Sequence, residues 1–288
     1  MKKVLLVLLC VVMLFTFTAC NNNPFLSKSK VDSLVKQAGG ANPQAEMTIE
    51  YKVTKGSKTN EYKIVLTYEI LLDKTPITAL NFIDAVVDNY YSNLLFDYNS
   101  SAYNYFIGGR YYAKQVEVEG NETNTTVTKY YKTTARPTFV GEFEGNNYSD
   151  PTGATDGSGY SKFEALSLAM YHDKNTESFD KANGAIIMAL RDDCLNYKNY
   201  AVFAKMVNMV VYVDGVASPQ ASPENPSTEP LDWLLTNLKS YTSTNTQVVY
   251  DVDGNELPQK QTFLTVKPCF SIKMLGNTDW AKLTSAIK

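Results

Sequence analysis

Histidine is nearly absent from this chain: His172 stands alone among 288 residues. A zinc site built on several imidazoles is therefore excluded. A catalytic histidine would need a partner that no spacing supplies. Cysteine is scarce as well, with four in the whole sequence. Cys10 and Cys20 belong to the N-terminal apolar segment, which leaves Cys194 and Cys269. Two unclustered cysteines allow one disulfide at most, and such residues more often serve as small apolar side chains. Arginine occurs only as Arg110, Arg136 and Arg191. An excess of positive charge is missing too: 27 Lys and Arg face 30 Asp and Glu, a formal net charge of −3, so nothing points to nucleic acid. No metal and no cofactor is expected. The one long apolar run, Val4–Phe15, falls short of the roughly 20 residues that a membrane-crossing helix needs.

That run does have the anatomy of a signal peptide over residues 1–19. Lys2 and Lys3 form a positive start, Val4–Phe15 the apolar middle, and Phe17-Thr18-Ala19-Cys20 a small-residue cleavage site. A cysteine after a small residue there resembles the lipobox of bacterial lipoproteins. The resemblance implies cleavage before Cys20, diacylation of its thiol, and a place on the cell membrane, lipid-anchored at the extracytoplasmic face. An ordinary signal peptide with an incidental Cys20 is the alternative. Residues 20–46 then read as a polar, lipidated tether, with a short helix at Val31–Gln37 stopped by Gly39-Gly40.

Strand-like alternation begins at Met47–Tyr51 and returns in Tyr62–Ile70, where every second residue is apolar. A helix start follows. Thr75 supplies a capping hydroxyl, and Pro76 at the first helical position has no N–H to waste. Ile77, Leu80, Ile83 and Val87 fall on one face. Tyr111–Val118 reads as another strand. Residues 119–135, rich in Thr and Asn, read as an exposed hairpin extension. Residues 216–230 are rich in Pro and Ser and form no regular element. Pro230–Leu238 then reads as a short amphipathic helix with Trp233 as an anchor. The main domain spans 47–288, with insertions near 119–135 and 216–248.

Residues 63–109 resemble the opening of a cyclophilin, the peptidyl-prolyl cis/trans isomerase family. The family pattern is a strand, then DKTPxTxxNF opening a helix, then GxYxxxxFHRVxxxFxxQGG. This chain keeps Asp73-Lys74-Thr75-Pro76, Thr78, Asn81-Phe82, Tyr91, Phe96 and Gly108-Gly109. Further segments follow in the family's order: Pro137–Phe143 for TIxxEF, Ala165–Met170 for GxLSMAN, Asn183–Ala189 for NGSQFFI, Tyr200–Val207 for YAVFGKVV and Lys267–Lys273 for the closing strand. The resemblance implies a mainly β fold, a cyclophilin-like closed eight-stranded β-barrel capped by α-helices.

The chemistry implied by the resemblance is another matter. Rotation about an Xaa–Pro bond faces a barrier of about 18–20 kcal/mol. In cyclophilins a guanidinium donates to the prolyl nitrogen as the bond twists, an apolar pocket grips the proline ring, and backbone amides with a glutamine hold the flanking peptide. Here FHR becomes Phe96-Asp97-Tyr98, and the arginine position falls on Tyr98 or Asn99. The glutamines of the two motifs become Ile107 and Ile186. The pocket phenylalanine becomes Met188, the pocket histidine Tyr200, and the pocket tryptophan falls near Cys194. Met170 takes the place of the Asn whose backbone binds peptide. The peptide-groove candidates are thus Tyr98, Asn99, Ile107, Met170, Ile186, Met188 and Tyr200, with no confident catalytic residue. Arg191, just past the Ile186 strand, is a surface arginine or a donor from another direction. The clustered Tyr90, Tyr91, Tyr98, Tyr103, Tyr105, Tyr111 and Tyr112 line a peptide-binding surface, or simply follow the liking of strands for tyrosine.

Two readings of function follow. One is a surface-anchored lipoprotein of the isomerase family that binds proline-containing segments of exported polypeptides, with activity weak or lost. The other is a non-catalytic binding or scaffold lipoprotein that uses its insertions. A solute-binding lipoprotein finds no support, since no two-lobed α/β pattern is present.

Overall fold

The structure is a computed structural model that describes residues 24–100, 104–118, 125–151, 159–172, 181–217, 221–222, 225–226, 245–264 and 267–288. The segment expected to be a signal peptide, Cys20, Tyr103, the tip of the expected hairpin extension, most of the insertion 216–248 and its expected helix with Trp233 lie outside the described residues.

The elements run as α1 (Lys28–Gln37), β1 (Gln44–Lys55), β2 (Lys58–Ile70), α2 (Pro76–Val87), β3 (Leu94–Ser100), β4 (Tyr105–Val118), β5 (Thr125–Lys132), β6 (Leu168–Met170), β7 (Ile186–Ala189), β8 (Val202–Val213), β9 (Val249–Tyr250), β10 (Cys269–Met274) and α3 (Trp280–Thr284). Shorter pairings join Val216–Ala217 to β8 and Asn245–Gln247 to Gln261–Phe263. Eight strands close on themselves in the order β4-β3-β10-β1-β2-β8-β6-β7, with β7 returning to β4. Every pairing in this ring is antiparallel. Closure leaves no free edge within the ring, which removes the usual site of strand-to-strand aggregation.

Strand β4 has two roles along its length. Tyr105–Gly108 pairs with β7 and closes the barrel, while Tyr111–Val118 pairs with β5 and carries the sheet outward. Strand β9 then adds to β5 in parallel. The insertion at 119–135 is therefore a sheet extension, and it is not wholly exposed. Tyr130 is buried with Leu95, Tyr111, Val249 and Phe263 in a small core of its own.

The barrel interior holds alternate residues of each strand: Met47, Ile49, Leu66, Tyr68, Phe96, Phe106, Phe203 and Phe270 among them. Helix α2 seals one end with Leu80, Phe82, Ile83 and Val86. Ile77, Leu80 and Ile83 are buried as the periodicity expects, but Val87 is 38% exposed. It sits at the last turn, where the helix leaves the barrel. Helix α1 is packed as well, with Val31 and Leu34 buried and Leu34 part of the main core.

The Gly108-Gly109 pair has two separate causes. A Cβ on Gly108 would lie 2.7 Å from Phe270 and 2.8 Å from Phe96, so two core rings occupy the space. Gly109 has φ +93°, a conformation that L side chains rarely adopt.

Candidate functional site

Strands β3, β4, β7 and β6 lie side by side, and their alternation decides which residues look outward. Ile107 pairs with Ile187, and Ile187 with Ala169; Phe106 pairs with Met188, and Met188 with Leu168. The second set points into the barrel. The first belongs to a separate outer cluster of Tyr105, Ile107, Phe163, Ala169, Ile187, Ala189, Cys194, Tyr200 and Val202.

This corrects three of the expected groove positions. Met170, Ile186 and Met188 are barrel-interior residues, at most 1% exposed. In a strand a shift of one residue exchanges the faces, and the outward positions here are Ile187 and Ala189. The Met170 N–H is spent on Ala201 O. Ile107 and Tyr200 do lie on the outer side, at 4% and 6% exposure. They are covered by the chain itself, since Phe163 and Cys194 pack over them. Tyr98 and Asn99 stand on β3 opposite Ile107 and Phe106; their side chains lie outside the described residues.

A guanidinium reaches this side from a position that motif matching passed over. Arg110, on β4 just after the glycine pair, donates through Nε to Asp97 Oδ2 at 2.8 Å, and Nη2 binds the same oxygen. Asp97 is 4% exposed. Burial pushes its pKa up to about 6, against the pull of Arg110. The guanidinium lies 5.5 Å from the Tyr171 ring and 5.9 Å from the Tyr111 ring, close enough for cation–π attraction. Tyr171 in turn packs on the outer cluster together with Leu195 and Tyr197. The substitution of Asp97 within FHR and the arginine after Gly109 were the sequence signals for this pair. Arg191 is exposed in the turn after β7.

The remaining candidates settle as structural residues. His172 is buried, with its ring stacked between Phe143 at 5.4 Å and Tyr200 at 4.6 Å. Its Nε2 lies 2.7 Å from Asn199 O and so carries the proton. Cys194 and Cys269 are both free thiols, and burial raises the Cys194 pKa to about 11. Tyr91, Tyr105 and Tyr111 are buried, and the Tyr91 hydroxyl donates to Gly184 O at 2.6 Å. The described part of the tyrosine group is mostly core. No group of metal-binding side chains occurs among the described residues.

One further carboxylate was missed as a site-shaping residue. Glu142, 1% exposed, accepts from Ile77 N–H at 2.9 Å and Thr78 N–H at 2.8 Å. It caps α2 from a loop more than 60 residues away. Thr75 was expected to do this, but its hydroxyl turns back to Leu71 O. Burial pushes the Glu142 pKa up to about 8, opposed by the two amide donors.

No protein-family model and no curated protein matches the sequence. Among solved structures, the Mimivirus cyclophilin is similar at 16% identity and a TM-score of 0.35, over 84% of this chain and 93% of that one. A cyclophilin-type peptidyl-prolyl cis-trans isomerase of Cryptosporidium parvum is similar at 12% identity and a TM-score of 0.37, over 82% and 99%. The cyclophilin AquaCyp293 from Hirschia baltica is similar at 12% identity and a TM-score of 0.29, over 64% and 71%. The described strands form a mainly β, closed eight-stranded antiparallel ring, as the resemblance of the motif segments to cyclophilins implies.

Proposed function

We propose that the protein is a lipid-anchored, cyclophilin-like lipoprotein of the extracytoplasmic membrane face that binds proline-containing segments of exported polypeptides, with isomerase activity weak or lost. The observation that carries the loss is the state of the outer face. Ile107, Ile187 and Ala189 are sealed by Phe163, Cys194 and Tyr200, and the Arg110 guanidinium is tied to Asp97. A donor that must meet the prolyl nitrogen of a twisting peptide needs a free N–H aimed into an open pocket. The half-buried Tyr171 beside Arg110, with Leu195 and Tyr197 packed on the same outer cluster, offers aromatic and apolar area to a proline ring.

The test is the cis-to-trans rate of a proline tetrapeptide with the mature domain. The expected rate stays near the uncatalysed one, which takes tens of seconds or more. A rate typical of cyclophilins overturns the reading of lost activity. The second reading, a scaffold that captures partners through its insertions, is favoured by the same sealed face. Deleting 216–230 would then abolish capture, while substitutions at Tyr171 and Tyr197 would leave it intact.

A further inference from the structure

Arg110 and Asp97 meet because the two strands that carry them are irregular at the same place. Leu94 pairs with Tyr112, Phe96 with Gly108 and Tyr98 with Ile107. From the first pair to the second β3 advances two residues and β4 four; from the second to the third β3 advances two and β4 one. Asp97 is thus the extra residue of one bulge, and Arg110 lies in another on the facing strand. Bulges re-aim side chains, and they gather beside binding sites for that reason. Gly109, at φ +93°, lets β4 make the excursion. The Arg110 guanidinium then spends Nε and Nη2 on one oxygen of Asp97. Nη1 makes no hydrogen bond among the described residues and is not a buried atom, so this edge of the fork is open to solvent. The Tyr171 and Tyr111 rings stand 5.5 and 5.9 Å from the guanidinium carbon.

An open guanidinium edge matches a carboxylate, which accepts parallel N–H bonds and meets a full positive charge. The Arg110 side chain is 30% exposed and so can be reached, while Asp97, 2% exposed, holds the fork from its buried side. We infer that Arg110 is a carboxylate-binding subsite at the rim of the outer face, which selects proline-containing segments that carry an acidic residue beside the proline. The inference deepens the reading proposed above and rests on it for the proline. Tyr171, packed on the outer cluster, joins the subsite to the area offered to the proline ring. Asp97 is the positioning residue. The titratable groups that face Arg110 are Asp97 from β3, Tyr111 beside it on β4 and Tyr171 from the segment after β6. The charged group that faces Asp97 is Arg110. Burial lifts the Asp97 carboxyl to about 6. An acidic ligand competes with Asp97 for the same cation, so its binding favours the protonated form of Asp97. Affinity for that ligand therefore rises as pH falls through the Asp97 range, until near pH 4 the ligand's own carboxylate takes up a proton.

The experiment uses the full chain, labelled with nitrogen-15 arginine, in detergent solution. Its three arginines give three Nε–H signals, and variants assign that of Arg110. The probes are acetylated, amidated tetrapeptides with aspartate directly before or directly after a proline, and the same peptides with asparagine. An aspartate peptide is expected to shift the Arg110 signal and to bind about fivefold more tightly than its asparagine twin, the difference between a charged and a neutral acceptor. That preference is expected to grow several-fold from about pH 7.5 to about pH 5.5, and to stay flat in Asp97→Asn. The double variant Asp97→Asn, Arg110→Gln leaves no unpaired buried carboxylate, so it keeps the fold, and it is expected to bind both peptides alike. Equal binding of the two peptides by the native chain, an unmoved Arg110 signal, a preference that ignores pH, or one that survives in the double variant overturns the inference. If no peptide binds at all, the proposed capture of proline segments fails by itself. N-acetylaspartate amide and N-acetylasparagine amide then decide the subsite: a shift of the Arg110 signal by the first alone upholds it, and no shift overturns it.

Discussion

Replacing Glu142 by alanine removes both acceptors that the first turn of α2 uses. The Ile77 and Thr78 N–H groups stay buried, and each unsatisfied donor costs about 1–3 kcal/mol. Two such donors make the expected loss for Glu142→Ala about 2–6 kcal/mol at about pH 4, where the carboxyl is protonated in both states. Glu142→Gln keeps one acceptor and turns an amide donor toward the other N–H, for an expected loss of about 1–3 kcal/mol at mildly acidic pH. The carboxyl also predicts a pH dependence. Its pKa is about 8 in the folded chain, raised by burial, and near 4.3 when unfolded. Between those values the folded chain holds a proton that the unfolded chain has lost. Its contribution is fully present below about pH 4.3 and is lost as pH rises toward 8, at up to about 1.4 kcal/mol per pH unit. Glutamine does not titrate, so the advantage of the native residue over Glu142→Gln shrinks across that window. Urea unfolding at a series of pH values, with unchanged m, measures both effects. The reasoning fails if Glu142→Ala costs less than about 1 kcal/mol at about pH 4, or if the difference from Glu142→Gln is flat between about pH 5 and 8.

Arg110→Ala leaves Asp97 buried and unpaired, at an expected cost of about 3–5 kcal/mol. Asp97→Asn is expected to cost less, because the Arg110 side chain is 30% exposed and keeps access to water; chemical denaturation of both variants should show that order, and the reverse order would refute it. Gly108→Ala forces a Cβ against Phe270 and Phe96, and an overpacked core of this kind loses about 1–3 kcal/mol, or about 2–4 °C of Tm per kcal/mol. An unchanged Tm would mean that the two rings have room to give.

Much of the barrel was legible because its signals are local. The alternation in Tyr62–Ile70, Pro76 at the first turn of α2 and the glycine pair before Arg110 each act within a few residues. The outer face was harder to read. Its register passes through irregularities between Leu94 and Tyr98 on β3 and between Leu168 and Ala169 on β6. Ile186 and Met188 were placed outward by motif correspondence alone, whereas β7 pairs with β4 and β6 in a register that turns both inward. The Glu142 cap and the Asp97–Arg110 pair were hidden for a related reason. Both join residues whose proximity depends on the finished fold, and Thr75 offered a plausible local alternative. The parallel pairing of β9 with β5 likewise brings together segments more than 100 residues apart.

The position of β10 bears on how the protein comes to be folded. This strand, Cys269–Met274, lies between β1 and β3, pairing with both. Until it is added, the β1–β2 hairpin and the β3–β4 hairpin have no strand to join them on that side. Contacts between residues so distant in sequence make folding slow. A chain emerging N-terminus first can join the two hairpins through β8, β6 and β7 once residue 213 is available, but the sheet stays open between β1 and β3 until residue 274 is available. The barrel closes only when β10 is added, and until then the unpaired edges of β1 and β3 are where the nascent chain most needs protection from association with other chains.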